Sequence, residues 1–167
     1  VYSDKIVKAI YIDKINEIPK WVDQVFNANL VIEQVDDWGM YKNGFFNSIF
    51  GQKGVVQTTD GYNYMIQDDD VYMYTGNTSI NSDESNIGFI ITNLRTKQTS
   101  FYNVPGAEEY SAMDSAKGQV QQMNYESTFP LLINLNNRPT YLISLKDKAG
   151  LVKMYAFVDV EDYQKVV

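Results

Sequence analysis

Apolar residues along this chain recur with two periods, and these divide it into helices and strands. The clearest helical stripe is Tyr110, Met113, Ala116, Val120 and Met123, spaced by three and four, which predicts a helix over residues 107–123. Those five side chains are expected in the core, with Asp114, Lys117 and Gln121 facing water. Two strand-like runs precede the helix, at 88–92 and 99–104, and three follow it, at 131–135, 140–146 and 151–160. One amphipathic helix cannot bury its stripe alone, so it is expected to lie across the sheet these strands build.

Upstream, residues 6–12 (Ile-Val-Lys-Ala-Ile-Tyr-Ile) read as a strand. Pro19 suits the first turn of a helix, and Trp21, Val22, Val25 and Phe26 continue as a stripe, which predicts a helix over 19–26 ending near Asn27-Ala28-Asn29. From Val35 to Gly54, the residues Trp38, Met40, Tyr41, Phe45, Phe46, Ile49 and Phe50 crowd among four glycines. This stretch is expected to be a loop whose aromatics plug one end of the core; a ligand- or membrane-contacting loop is the alternative. Short strands are expected at 55–59, 62–67 and 71–75, and a polar surface loop at 76–86. Asn136-Asn137 and residues 148–150 supply the last two hairpin turns. The pattern predicts an α+β fold of about nine mostly antiparallel strands and two helices. Residues 1–53 would carry the first strand, a helix and the aromatic loop; residues 54–167 would carry the sheet and its central helix.

The hairpin of residues 62–75 depends on its register. A two-residue turn at Asp68-Asp69 puts Tyr64 and Tyr74 on opposite faces, whereas a three-residue turn sets Tyr64 opposite Tyr74 and Ile66 opposite Tyr72. Two-residue turns favour Asn-Gly or Asp-Gly and no glycine is present, so the longer turn is expected. Tyr64, Tyr72 and Tyr74 then form one aromatic surface. It is core if it faces the helices, and the candidate binding surface if it faces solvent.

Composition narrows the function. Twenty-one acidic residues stand against 14 basic ones, a net charge of −7. Nucleic acid is excluded as a partner, because its recognition rests on basic patches. The chain has no Cys and no His, which removes thiolate chemistry, zinc-thiolate sites and the commonest general base. No cofactor and no transition metal are expected. No apolar run is long enough to span a membrane. The first residue is Val1, and the chain reads as a piece of a longer protein whose anchor lies upstream.

No catalytic motif is complete. Asp68, Asp69 and Asp70 are the weak candidates for a metal site, but the alternation and glycine of a calcium loop are missing, and a solvated turn is expected. The same holds for the oxygen-rich stretch 81–86. Glu108 and Glu109 open the central helix and are expected to complement its dipole. Glu108, Glu126 and Asp147 show no spacing that faces two carboxylates across a cleft. There is no nucleophilic Ser motif and no phosphate-binding glycine loop. Asn77-Thr78-Ser79 matches a glycosylation acceptor only by chance.

Three segments carry a resemblance: Ser85-Asn-Ile-Gly-Phe-Ile-Ile-Thr-Asn-Leu-Arg-Thr-Lys97, Pro105-Gly-Ala-Glu-Glu-Tyr-Ser-Ala-Met-Asp-Ser-Ala116 and Leu145-Lys-Asp-Lys-Ala-Gly-Leu-Val-Lys-Met-Tyr-Ala-Phe-Val158. With Ile18-Pro-Lys-Trp-Val-Asp23, Gly44-Phe-Phe-Asn-Ser-Ile-Phe-Gly51 and Asp68-Asp-Asp-Val-Tyr72, the chain resembles the C-terminal region of uncharacterised membrane-anchored proteins of Gram-positive bacteria or their phages. These carry labels such as cell-shape-determining or twin-arginine-signal protein. The resemblance implies an N-terminal membrane anchor ahead of this region and supplies no catalytic residue. The order strand, strand, helix, hairpin is also similar to PepSY-type modules, small extracytoplasmic domains linked to protease inhibition or binding. Residues 6–15 would then close a preceding module.

The reading is a non-enzymatic extracytoplasmic binding or scaffolding module at the cell envelope, with a protein or envelope polymer as partner. The alternative is a carboxylate-dependent hydrolase of envelope glycan, which would need two carboxyl groups facing across a deep cleft.

Overall fold

The computed structural model of the chain describes residues 12–80 and 86–167. Among them nine antiparallel strands in two sheets and two α-helices make an α+β fold. In chain order these are α1 (Ala28–Tyr41), β1 (Val56–Thr58), β2 (Asn63–Gln67), β3 (Asp70–Ser79), β4 (Asn86–Asn93), β5 (Thr99–Tyr102), α2 (Glu109–Gln119), β6 (Glu126–Ser127), β7 (Leu131–Leu135), β8 (Arg138–Lys146) and β9 (Val152–Asp159). The expected strand at 6–11 lies outside the described residues, and Ile12 opens a short 3-10 turn.

In the first sheet β3 pairs with β1 and β2 along one side and β4 along the other, and β5 is the outer edge beyond β4. In the second sheet β8 is central, with β6 and β7 on one side and β9 on the other. Strand alternation gives the first sheet two covered faces. Tyr74 and Phe89 point toward the second sheet, where Phe89 meets Tyr141 edge to face at 5.9 Å. Ala112, Ala116 and Val120 fill the same core with Ile143, Leu145, Ala156 and Val158. On the opposite face Met73 and Leu94 pack with Phe26, Ala28 and Val31. The layers are therefore α1, the first sheet, then α2 with the second sheet.

The helix expected over 19–26 is absent. Arg95 takes its carbonyls: the guanidinium donates to Lys20 O at 2.9 Å, Val22 O at 2.8 Å and Ile18 O at 3.3 Å. Leu94 O accepts from the amides of both Val25 and Phe26. Tertiary partners thus satisfy a backbone that a helix would have satisfied internally. The helix starts instead at Asn27, whose side chain caps the Asn29 amide at 2.8 Å. It runs to Tyr41 on the buried positions Ala28, Val31 and Gly39, so residues 35–41 of the stretch expected as a glycine-rich loop are helical.

The loop expected over 76–86 is also corrected. β3 continues through Ser79, and Asn77 and Thr78 are buried although polar. The Asn86 Oδ1 accepts from the amides of Asn77 and Gly88, both at 3.1 Å, where the β3–β4 register shifts. Residues 81–85 lie outside the described residues.

The central helix is shorter and rotated relative to its expected stripe. α2 ends at Gln119, followed by a 3-10 turn at Gln121–Met123. Its buried face is Glu109, Ala112 and Ala116, with Val120 just beyond; Tyr110 and Met123 are exposed and Met113 is half-buried. Two alanines let the helix approach the sheets closely, and Tyr110 hydrogen-bonds Asp60 O from the rim. Asp114 and Gln121 are exposed, while Lys117 is half-buried in an ion pair with Glu126 at 3.4 Å.

Candidate functional site

The expected tyrosine surface does not form. Asp68 and Asp69 both adopt left-handed conformations, with φ of 51° and 63°, and make a two-residue turn without glycine. Aspartate tolerates that region better than most residues. Gln67 consequently faces Asp70, Tyr64 faces Met73 and Met65 faces Tyr72. Tyr64 lies on the α1 face, and Tyr72 and Tyr74 lie on the other. Tyr74 is wholly buried, with its hydroxyl on Pro130 O, and burial followed by the nearby Glu109 holds its pKa well above the usual phenol value.

The acidic candidates are dispersed. Asp70 accepts from Asn93 Nδ2 at 2.8 Å, and among the described residues no group of three or more acids is placed to hold a metal ion. Glu126 pairs with Lys117 and Asp147 with Lys153 at 3.1 Å. A shallow depression of about 440 Å³ contains Asp36 and Asp60. Asp36 is committed to Thr58, accepting from its amide at 2.7 Å and its hydroxyl at 3.2 Å.

Glu109 stands in the first turn of α2, at the dipole position expected, but it is buried there. Its carboxyl is fully buried over Gly76, where an added Cβ would meet Glu109 Oε2 and Thr59 Oγ1 at 2.5 Å. Neither carboxyl oxygen makes a full hydrogen bond. Burial pushes its pKa up, opposed only in part by its own amide, the Thr59 hydroxyl and the Gly76 amide.

The aromatics expected to plug the core stand outside it instead. Trp38 is 58% exposed, Phe46 75% and Phe50 82%, and Tyr41, Phe45 and Ile49 are exposed too. Trp38 projects beside the first sheet and forms one wall of a groove of about 370 Å³ between α1 and β4–β5. Val31, Val35 and Ile90 line it, and Phe101 and Lys97 border it on the sheet side. The Lys97 ammonium also rests 5.5 Å over the Phe26 ring.

The groove runs beside an open sheet edge. Among the described residues β5 pairs with β4 alone, and all four of its residues are exposed. Asn93 N donates to Gln98 O at 2.9 Å, which makes that opposed pair a hydrogen-bonded one. Alternation along an antiparallel ladder then turns the N–H and C=O of Thr99 and Phe101 outward, away from β4. The 2.9 Å contact between the hydroxyls of Thr92 and Thr99 fits this assignment, because side chains of non-hydrogen-bonded pairs lie closer. A groove with apolar walls, one cation and an unpaired backbone edge can hold an extended chain. The sequence holds one cue to it, Trp38 spaced three and four residues from Val35 and Gln34. The glycines around Trp38 hide that cue. No protein-family model, no curated protein and no solved structure matches this chain.

Proposed function

We propose that the chain is a non-enzymatic extracytoplasmic module of a larger membrane-anchored protein, binding or scaffolding at the envelope of a Gram-positive bacterium, with its ligand in the groove between α1 and β5. The observation that carries this reading is the open edge of β5 beside that groove. An extended segment of a protein, or an envelope polymer, would lie along Thr99 and Phe101, with the Trp38 and Phe101 rings against its apolar groups or sugar faces. Lys97 favours a carboxylate or phosphate at that end. The Cys-free and His-free composition and the likeness to membrane-anchored envelope proteins support the location.

The alternative, a carboxylate-dependent glycan hydrolase, would have to use the Asp36–Asp60 depression, where Asp36 already serves Thr58. One experiment separates the two. Purified cell-wall sacculi are incubated with the chain, and both co-sedimentation and released reducing ends are followed. The module reading expects retention that falls at least tenfold in Phe101→Ser, with no release above buffer. Release that grows with time and stops in Asp36→Asn or Asp60→Asn establishes the hydrolase instead. If sacculi do not retain the chain, a phage-displayed peptide library reads the protein-partner branch. Selected peptides that bind the chain but not Phe101→Ser support it; no such peptide overturns the reading.

A further inference from the structure

We propose that the end of α1 and the turn after it form a membrane-contact tip that seats on an anionic phospholipid surface. The tip is distinct from the groove and shares only Trp38 with it.

Three observations carry this. The first is apolar area in one place: Tyr41 stacks on Phe45 at 6.3 Å, Phe45 meets Phe46 edge to face at 6.0 Å, and Ile49 and Phe50 follow on a π-helical turn at Asn47–Gly51. Exposed aromatic area of this density is rarely left without a partner.

The second is that the tip pairs many of its polar groups internally. Lys42, Gly44, Ser48 and Gln52 amides donate to Trp38, Tyr41, Gly44 and Asn47 carbonyls at 2.6–3.2 Å. Asn43 and Asn47 both donate side-chain amides to Lys53 O, at 3.1 and 3.0 Å, and the Lys53 amide donates back to Asn47 Oδ1 at 3.2 Å. A protein groove or strand partner is recognised partly by backbone left open, as β5 leaves it. Here the amides of Lys42, Gly44, Ser48, Gln52 and Lys53 close within the tip, which lowers the desolvation cost of seating it at the headgroup–acyl boundary.

The third is charge. Over residues 38–59 the only charged residues are Lys42 and Lys53, in a chain of net charge −7. Lys42 stands 4.8 Å over the Trp38 ring, so cation and indole share one level, as at a lipid interface. An anionic surface would repel most of this protein within a Debye length and admit this end. The phenylalanines would enter the boundary region while both lysines meet phosphates.

The test uses the 1–167 chain with vesicles of phosphatidylcholine alone and with 30% phosphatidylglycerol. The proposal expects flotation with the anionic vesicles at least fivefold above the neutral ones. In a Trp21→Phe background, Trp38 emission should shift to the blue and be quenched by brominated acyl chains. Phe46→Ser with Phe50→Ser, both at highly exposed positions, should keep the urea midpoint and lower partitioning at least tenfold. Lys42→Glu with Lys53→Glu should abolish the anionic preference, and Lys42→Arg with Lys53→Arg should retain it. Absent vesicle binding, or binding indifferent to the Phe pair, overturns the proposal. A dimer in sedimentation that the Phe pair disperses, without vesicle binding, also overturns it and assigns the tip to a second copy. Retention on sacculi or peptides without vesicle binding overturns the tip and leaves the groove reading standing.

Discussion

Gly39 sits inside α1, where alanine is intrinsically the better residue by about 0.8–1 kcal/mol. On propensity alone Gly39→Ala should stabilise the protein. The structure reverses the sign. A Cβ on Gly39 would stand 3.0 Å from Val56 Cγ2 and 3.2 Å from the Val56 carbonyl carbon, and closer still to the Val56 oxygen. That oxygen belongs to a buried residue of β1, held in register against Ser79 of β3, so it cannot swing aside as a side-chain tip could. α1 must move outward, and overpacking of this kind costs about 1–3 kcal/mol. Because the obstacle is backbone, the upper half of that range applies. The net loss is then about 1–2 kcal/mol, or about 2–8 °C in Tm for a chain of this size.

Urea titration followed by far-UV circular dichroism and tryptophan emission measures it, with the m-value as a check that the two end states are unchanged. Gly118→Ala provides the control on the other helix. Nothing lies within 4 Å of a Cβ at that position, so it should gain about 0.5 kcal/mol near the helix end. If Gly39→Ala gains stability as Gly118→Ala does, the close seating of α1 on β1 is wrong, and with it the placement of Trp38 at the groove.

Three further outcomes follow from the core and the hairpin. The folded state raises the pKa of Glu109, so it holds that proton more tightly than the unfolded chain does; this contribution is complete below the ordinary Glu value and is lost as pH rises through the raised one. Relative to wild type, Glu109→Gln should therefore gain stability as pH rises from the ordinary Glu value through the raised one, by at most about 1.36 kcal/mol per pH unit, and level off above it; a difference in urea midpoint that does not change with pH refutes a buried, proton-holding Glu109. Val120→Asp places an unpaired charge in the core beside Ala116 and should cost about 3–5 kcal/mol, read as lost or lowered cooperative melting; an unchanged Tm refutes the seating of α2. Asp69→Gly relieves a left-handed residue in the β2–β3 turn and should gain up to about 1 kcal/mol, whereas a loss would indicate a longer turn and a different register.

Strand existence in the C-terminal half was legible because its cues are local. Leu131–Leu135 forms a strand over the five residues expected, and Asn136-Asn137 closes its hairpin with both residues at positive φ. β-Branched and apolar runs between turn residues need no distant partner to be recognised. The α+β class and the antiparallel pairing follow from the same local information. The site was not legible in this way. Residues 19–26 carry a helical stripe, yet Arg95 and Leu94, some 70 positions later, take their backbone groups. Gly39 looks like punctuation and is instead a point of close approach, while Asp68-Asp69 makes a tight turn without the glycine that would have announced it.

The aromatics show most plainly where the division falls. Sequence determined that Trp38, Phe45, Phe46 and Phe50 are clustered, with Lys42 among them, Lys53 after them and no acid between 38 and 59. Whether such a cluster fills a core or faces outward depends on how much room the facing layer leaves. Here Ala28, Val31 and Gly39 bring α1 so close to the first sheet that no space remains for a tryptophan beneath it. Close packing at the small residues expels the large ones, and only the tertiary structure records which residues those are.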